Sequence, residues 1–252
     1  MDLGLTDRVF LVTAASAGLG RASAEQLVAE GARVVLVARR ADVLDDVVAD
    51  LGSANAIALA ADLADPDTAA AAAQLAIRTF GRLDGALISV GGPPPGSVLA
   101  NSDEQWLATF ESVFLAALRA VRAVLAAASG PASIGVVLST SAKVPIPGLA
   151  ISNGLRPGLA MLIKQLADEV GPDGHRVFGL MPGTVLTERI RFLHGRSDDP
   201  TAARKDAEAR IPLRRLGDPA EFGRVAAFLL SPAASYVTGS VIPVDGGALR
   251  AL

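Results

Sequence analysis

The chain has 252 residues, 51% of them apolar, with a net charge of −3 and no cysteine. That length and apolar content fit one large α/β domain with a sizeable core. The mildly acidic balance argues against nucleic acid or an acidic membrane surface as the main partner; the missing cysteines exclude disulfides, thiolate nucleophiles and cysteine-based metal sites, and they suit a cytoplasmic location.

Taken in order, short apolar runs alternate with longer helical patterns. Met1 to Arg8 carries acids and no apolar segment, so no secretory signal is expected there. Val9 to Thr13 reads as a buried strand and Leu19 to Glu30 as a helix. Arg33 to Ala38 is a second strand and Asp42 to Leu51 a second helix. Further strands are expected at Ala56 to Ala61, Leu83 to Val90, Ser133 to Ser139, Arg176 to Met181 and Ser240 to Val244. Helices are expected at 66–80, 103–128, 153–170 and 219–230. Val113 to Ala128 is the most apolar long stretch, but Arg119 and Arg122 interrupt it, so it reads as a buried helix rather than a membrane span. Near-continuous Val/Ile/Leu runs indicate strands covered on both faces. The alternation therefore points to a doubly wound parallel α/β sheet in a single domain spanning 1–252, with a cap at 188–215.

Val9 to Thr13 runs into Ala14-Ala-Ser16-Ala-Gly18-Leu19-Gly20-Arg21 at the start of a helix. Glycines in such a turn let the backbone approach a pyrophosphate, and the helix N-terminus supplies amide donors. Asp62-Leu63 stands past the third strand, where a carboxylate accepts from an adenine amine. Val90-Gly91 ends the fourth strand at the switch point of the sheet. Pro182-Gly183-Thr-Val185-Leu-Thr187 follows the sixth, and Tyr236-Val-Thr-Gly to Val-Asp245-Gly-Gly247 closes the chain. At the end of the second strand stand Arg39 and Arg40 and no acid. An acid there would take the ribose 2′-hydroxyl of NAD; two guanidiniums suit a 2′-phosphate, so NADP is favoured over NAD. The other reading of the pair is solvated charge at a helix start.

These stretches together resemble the short-chain dehydrogenase/reductase family over nearly the whole length. The family's opening Thr-Gly-x-x-x-Gly-x-Gly is matched by Thr13 to Gly20, with Ala14 replacing its first glycine. The resemblance implies a Rossmann-type sheet of seven strands in the order 3-2-1-4-5-6-7, NAD(P) binding, and a homotetramer or dimer built on helices 103–128 and 153–170 and the last strand.

Members of the family use an Asn-Ser-Tyr-Lys set. In their register Ser139 matches the serine, Ser152 stands for the tyrosine, Arg156 for the lysine and Val113 for the asparagine. A serine hydroxyl is a far weaker acid than a phenol, and arginine stays protonated, so it relays no proton. Pro157 disfavours helical backbone at Arg156, so the helix is expected to begin near Pro157 and carry Arg156 off the lysine position. Tyr236, the single tyrosine, is expected to be structural. Lys143 and Lys164 read as solvated, and His175 and His194, isolated from carboxylates, make no metal site. Two functions follow: an NADP-dependent oxidoreductase of altered mechanism acting on a small carbonyl or alcohol, or a nucleotide-binding homologue with little or no catalysis that serves as a sensor or an oligomeric partner. Arg189, Arg191, Arg196, Arg204 and Arg210 in the cap hint at an anionic substrate or are helical surface charge.

Overall fold

The computed structural model describes residues 2–188, 190–191 and 199–251. Arg189, His194 and Arg196 of the cap lie outside the described residues.

Seven strands form one parallel sheet: β1 (Val9–Thr13), β2 (Arg33–Ala38), β3 (Ala56–Ala60), β4 (Gly85–Ile88), β5 (Ser133–Val137), β6 (Arg176–Pro182) and β7 (Val241–Val244). Their order is β3-β2-β1-β4-β5-β6-β7, as the resemblance implies. β1, β4 and β5 are buried along their whole length, which is why their sequences lack polar alternation. On one face α1 (Gly18–Ala29), α2 (Ala41–Leu51) and a late helix Pro219–Leu230 enclose a core that includes Phe10, Leu27, Leu36, Phe178 and Phe222. On the other, α3 (Thr68–Phe80), α4 (Asp103–Thr109), α5 (Ala116–Ala127) and α6 (Ala150–Val170) cover Leu11, Val35, Ile88, Ile134 and Met181. The cap contains α7 (Pro200–Ala209), and α8 is the helix Pro219–Leu230.

The chain winds outward from β1 to β3, then returns to place β4 beside β1. The reversal opens a crevice at the carboxyl ends of β1 and β4, where open α/β sheets bind ligands. Side chains pin this pair of strands at both ends. At the amino end, Asp84 accepts from Val9 N at 2.9 Å and from the Arg82 guanidinium at 2.6 and 2.8 Å. At the carboxyl end, Thr13 Oγ1 donates to Ser89 O at 2.5 Å and accepts from Ser89 N at 2.8 Å. This hydroxyl replaces the next ladder rung, so β4 stops at Ile88 instead of reaching Val90.

Between α4 and α5 lies a π-helical turn, Phe110–Leu115, closed by Ala116 N bonding to Glu111 O. It holds Val113, which is buried. Val113, Ala116 and Ala117 of the apolar stretch Val113 to Ala128 are all buried.

The start of α6 differs from expectation. The helix begins at Ala150, and Pro157 lies inside it. An internal proline costs about 3 kcal/mol through a missing hydrogen bond and a ring clash. Anchors outside the helix hold its first two turns. Asn153 is tied to Ile146 by two bonds of 2.9 Å, one each way. Trp106 stacks against Gly154, where a Cβ would come within 2.8 Å of the indole. Tertiary contacts thus outweigh the local rule, and Arg156 stays in helical phase one turn after Ser152.

Tyr236 also departs from expectation. Its side chain is fully exposed, so it stabilises nothing within the chain. The neighbouring Val237 packs against the core in its place.

Candidate active site

The turn from β1 into α1 is built for close approach. Gly18 has φ +59°, and a Cβ on Gly20 would meet Ala14 O at 2.5 Å. Ala14 keeps the backbone of the glycine it replaces, with φ +50°, a region that L-residues occupy at a cost. The N-terminus of α1 carries no side-chain cap, so its first amides and their partial positive charge are open to an anion. Ser16 lies in the turn and accepts from Arg40 Nη2 at 3.3 Å, drawing the end of β2 toward it. Leu19 packs inward against the α1–α2 core. Thr13 is fully buried and bonded to Ser89, so it acts on the site through the loop after β4.

A cleft of about 290 Å³ opens at the carboxyl ends of β1 to β4. Arg39, Asp62, Leu63, Val90 and Gly91 line it, together with Ala14. Val113, set against the family's asparagine in the sequence register, forms another wall with Thr109 and Ser112 of the α4 end and π-turn, which the sequence had not indicated. Asp62 accepts from Ala64 N at 3.0 Å through one carboxylate oxygen, and Thr68 Oγ1 donates to its carbonyl at 2.8 Å. Both bonds shape the loop after β3 while the carboxylate remains exposed.

Pro182, Gly183, Val185 and Thr187 lie outside this cleft. Gly183 N bonds Val244 O, and Val185 forms a parallel bridge with Gly217. Thr187 reaches the glycine turn: its Cγ2 lies 3.3 Å from where a Gly18 Cβ would stand. A larger cleft, about 550 Å³, lies behind this loop against Phe222, Val225 and Val244. Of its charged groups, Arg215 and Glu221 bond each other at 2.6 and 2.7 Å and Asp218 and Asp245 accept from backbone amides; none of the serines borders it.

At the reaction end, β5 runs into a 3-10 turn, Thr140–Ala142, capped by Ser139, whose Oγ accepts from Ser141 N at 3.2 Å. Ser139 is half-buried. Ser141 and Ser152 are buried, with their hydroxyl oxygens 2.9 Å apart. Arg156 is 5% exposed, and its Nη1 donates to Val137 O at 2.5 Å. The three residues named from the sequence therefore occupy different settings: Ser139 is half-buried, while Ser152 and Arg156 are buried. Ser141 was missed; the signal available was a second serine two positions on, where a serine-capped turn returns its amide.

A paired wall stands beside these residues. The loop after β4, with Pro93, Pro94 and Pro95, is bridged to the loop before α6 by Gly96 N to Gly148 O at 2.8 Å and Ala150 N to Gly96 O at 3.1 Å. Lys143 and Lys164 are exposed. His175 lies just before β6, where its Nδ1 accepts from Ala132 N at 2.9 Å. In the cap, Arg204 bonds Glu208 four residues on, and Arg191 and Arg210 are exposed. Among the described residues no three His, Asp or Glu side chains cluster as a metal site, and no helix is long and apolar enough to cross a membrane.

A parallel sheet of this order, with a glycine turn feeding α1 and a serine-capped turn beside α6, is the framework of a nucleotide-dependent oxidoreductase. The family described as enoyl-(acyl carrier protein) reductase matches residues 13–248. An uncharacterized oxidoreductase of Mycobacterium tuberculosis is 33% identical over 248 residues, covering 96% of this chain and 92% of that one. L-sorbose reductase from Gluconobacter frateurii, solved with NADPH and L-sorbose, superposes with a TM-score of 0.94 at 30% identity and complete coverage of both chains. A short-chain oxidoreductase from Pseudomonas aeruginosa PAO1, described as containing an atypical catalytic center, matches at a TM-score of 0.91 and 30% identity over 99% of this chain and all of that one. The chain belongs to the short-chain dehydrogenase/reductase family of oxidoreductases.

Proposed function

We propose that this protein is an NADP(H)-dependent oxidoreductase that acts on a small carbonyl or alcohol without the family's tyrosine acid. The dinucleotide fits the residues present. The open first turn of α1 and the backbone of Gly18 to Gly20 would take the pyrophosphate, and Arg39 and Arg40 the 2′-phosphate. Asp62, Leu63, Val90 and Gly91 would enclose the adenosine half; the cleft they line is of a size for that half alone. Pro182 to Thr187 would border the nicotinamide half. When bound, the nicotinamide supplies or accepts the hydride.

The observation that carries the reading is the different fate of the three serines. Ser139 Oγ accepts from Ser141 N, which leaves its hydroxyl hydrogen to donate to a carbonyl oxygen. Ser152 is held at Ser141, so it supports the floor of the site instead of replacing a phenol that would reach the substrate. The proton taken up by the product oxygen then comes from water. Reduction of a simple ketone should be slower than in tyrosine-bearing relatives by about 10²–10⁴-fold, the usual contribution of a positioned general acid. The burial of Ser152 and Arg156 also favours a second reading, a nucleotide-binding homologue without turnover.

Calorimetry with NADPH and NADH, followed by NADPH oxidation over a panel of carbonyl compounds, separates the readings. NADPH binding tighter than NADH with slow turnover supports the first. Binding with no oxidation of any carbonyl supports the second, and no binding of either nucleotide overturns both. The exposed apolar side chains Leu107 and Met161 on α4 and α6 suit self-association of this face.

A further inference from the structure

We infer that Arg119, on α5, is a positioning residue for the adenine end of the cleft. The inference rests on the cofactor reading above for what the cleft holds, but its geometry is independent of it. Arg119 Nη1 donates to Ala64 O at 3.2 Å, across 55 residues of sequence, and pairs with Glu111. Its side chain is three-quarters buried. Ala64 directly follows Ala61–Leu63, which wall the cleft, and its amide is the one that fixes the Asp62 carboxylate. Glu111 lies in the π-helical turn whose Ser112 and Val113 form the opposite wall. One guanidinium therefore ties both walls of the cleft together while lining neither.

An arginine suits this post. Its terminal Nη1 donates to a carboxylate and a carbonyl at once and stays charged, and a partly buried charged donor gives a stronger bond than a neutral one. Without it, the Asp62 turn keeps its local bonds to Ala64 N, Asp65 N and Thr68 Oγ1 and the tie of Ala61 N to Ala38 O, but loses its tie to α5. A turn with one fewer long-range tie samples more conformations, so a ligand reading Asp62 must order it on binding.

The test uses Arg119→Met and Arg119→Lys in the full chain, with Glu111→Gln as a milder variant should Arg119→Met fail to fold. Amide hydrogen exchange on the ligand-free protein is measured first. Arg119→Met should speed exchange at residues 62–65 relative to the rest of the chain, and Arg119→Lys should restore part of the protection. Unchanged exchange overturns the inference, whether or not a nucleotide binds. Titrations with NADPH, adenosine 2′,5′-bisphosphate and reduced nicotinamide mononucleotide follow. The two adenine-bearing probes should weaken by the same factor, about tenfold for one lost charge-assisted bond, and the adenine-free probe should be unaffected. Equal weakening of all three overturns the inference, because it marks general damage. A wild-type protein that binds none of them sinks the cofactor reading instead and leaves the exchange result to decide the role of Arg119.

Discussion

The buried hydroxyls of Ser141, inside the turn capped by Ser139, and of Ser152, on α6, lie 2.9 Å apart. The side chain in the tyrosine position is therefore occupied inside the protein. This makes the roles of the serines separable. Ser139→Ala should lower kcat for carbonyl reduction. Ser152→Ala should leave kcat unchanged and cost about 1–3 kcal/mol of stability, because it strands the Ser141 hydroxyl without water or partner. Steady-state kinetics and denaturant melts on the two variants check this. A large loss of kcat in Ser152→Ala would place that hydroxyl in the reaction after all.

Placing a tyrosine and a lysine where the family register sets them gives the converse test of the proposed function. Ser152→Tyr with Arg156→Lys should raise kcat/KM for a simple ketone by about 10²–10⁴-fold over wild type. Each single change should give less, since the phenol needs a cation to lower its pKa and the ammonium alone donates no catalytic proton. NADPH oxidation on one ketone across the four proteins measures it. A double variant no faster than wild type would mean that substrate placement, and not the acid, limits the rate.

Ala14 holds φ +50° at the glycine turn. Ala14→Gly removes left-handed strain of about 1–2 kcal/mol and returns part of it as chain entropy in the unfolded state. A net gain of about 0.5–1 kcal/mol should raise Tm by about 1–4 °C. Nucleotide binding should tighten as well, because the exposed methyl borders the cleft. Scanning calorimetry with and without NADPH separates the two effects.

Much of this architecture was legible because its causes are local. Strands buried on both faces must be apolar throughout, so β1, β2 and β5 announce themselves, and the glycine turn and Asp62 follow from where those strands end. The errors arose where distant residues decide. Val90 was expected inside β4, but Thr13, 76 residues away, takes the Ser89 backbone and ends the strand. Pro157 was expected to open α6, but Ile146 and Trp106 hold the two turns before it. Ser141 carried no motif, and its contact with Ser152 exists only because α6 starts early.

The Glu221 carboxyl is pushed down to about 2, first by the Arg215 fork and then by the Asp218 amide at the start of α8. A folded-state pKa below the unfolded value means that the stabilisation is fully present above about pH 4.5 and is lost as pH falls toward 2. The pair is well exposed, so solvent screening keeps its effect on stability small. Glu221→Gln should therefore be slightly less stable than wild type at pH 7, with the gap closing below pH 4.5 and shrinking in high salt. Urea melts at several pH values and two salt concentrations check it; a gap that does not change with pH would assign the effect to packing.

Arg176 offers a contrast, a cation with backbone partners. Its guanidinium donates to Leu229 O, Ser231 O, Val237 O and Leu230 O at 2.9 to 3.4 Å, closing the carboxyl end of α8. Burial pulls its pKa below the usual arginine value, and nearby Arg8 adds to this, so the carbonyls and the helix dipole are what hold the charge there. Arg176→Met leaves several carbonyls without donors and should cost about 2–4 kcal/mol. Arg176→Lys should recover only part, since one ammonium cannot span four acceptors as a planar fork does. Equal stability for the lysine variant and wild type in guanidinium melts would count against the fork.

Pro157 leaves Asn153 O in α6 without its helical donor and sits one residue after Arg156. Because Asn153, Gly154 and Arg156 are each held by contacts outside the helix, Pro157→Ala should restore the missing bond without moving the site. The local gain is up to about 3 kcal/mol, reduced by the extra freedom that alanine has in the unfolded chain. The prediction is thus a protein more stable by about 1–2 kcal/mol with unchanged kcat and nucleotide affinity. If the proline instead bends the helix to hold Arg156 against Val137 O, straightening it would shift that guanidinium, and nucleotide affinity would change along with stability. Denaturant melts and an NADPH titration on the same variant distinguish a tolerated proline from one that shapes the site.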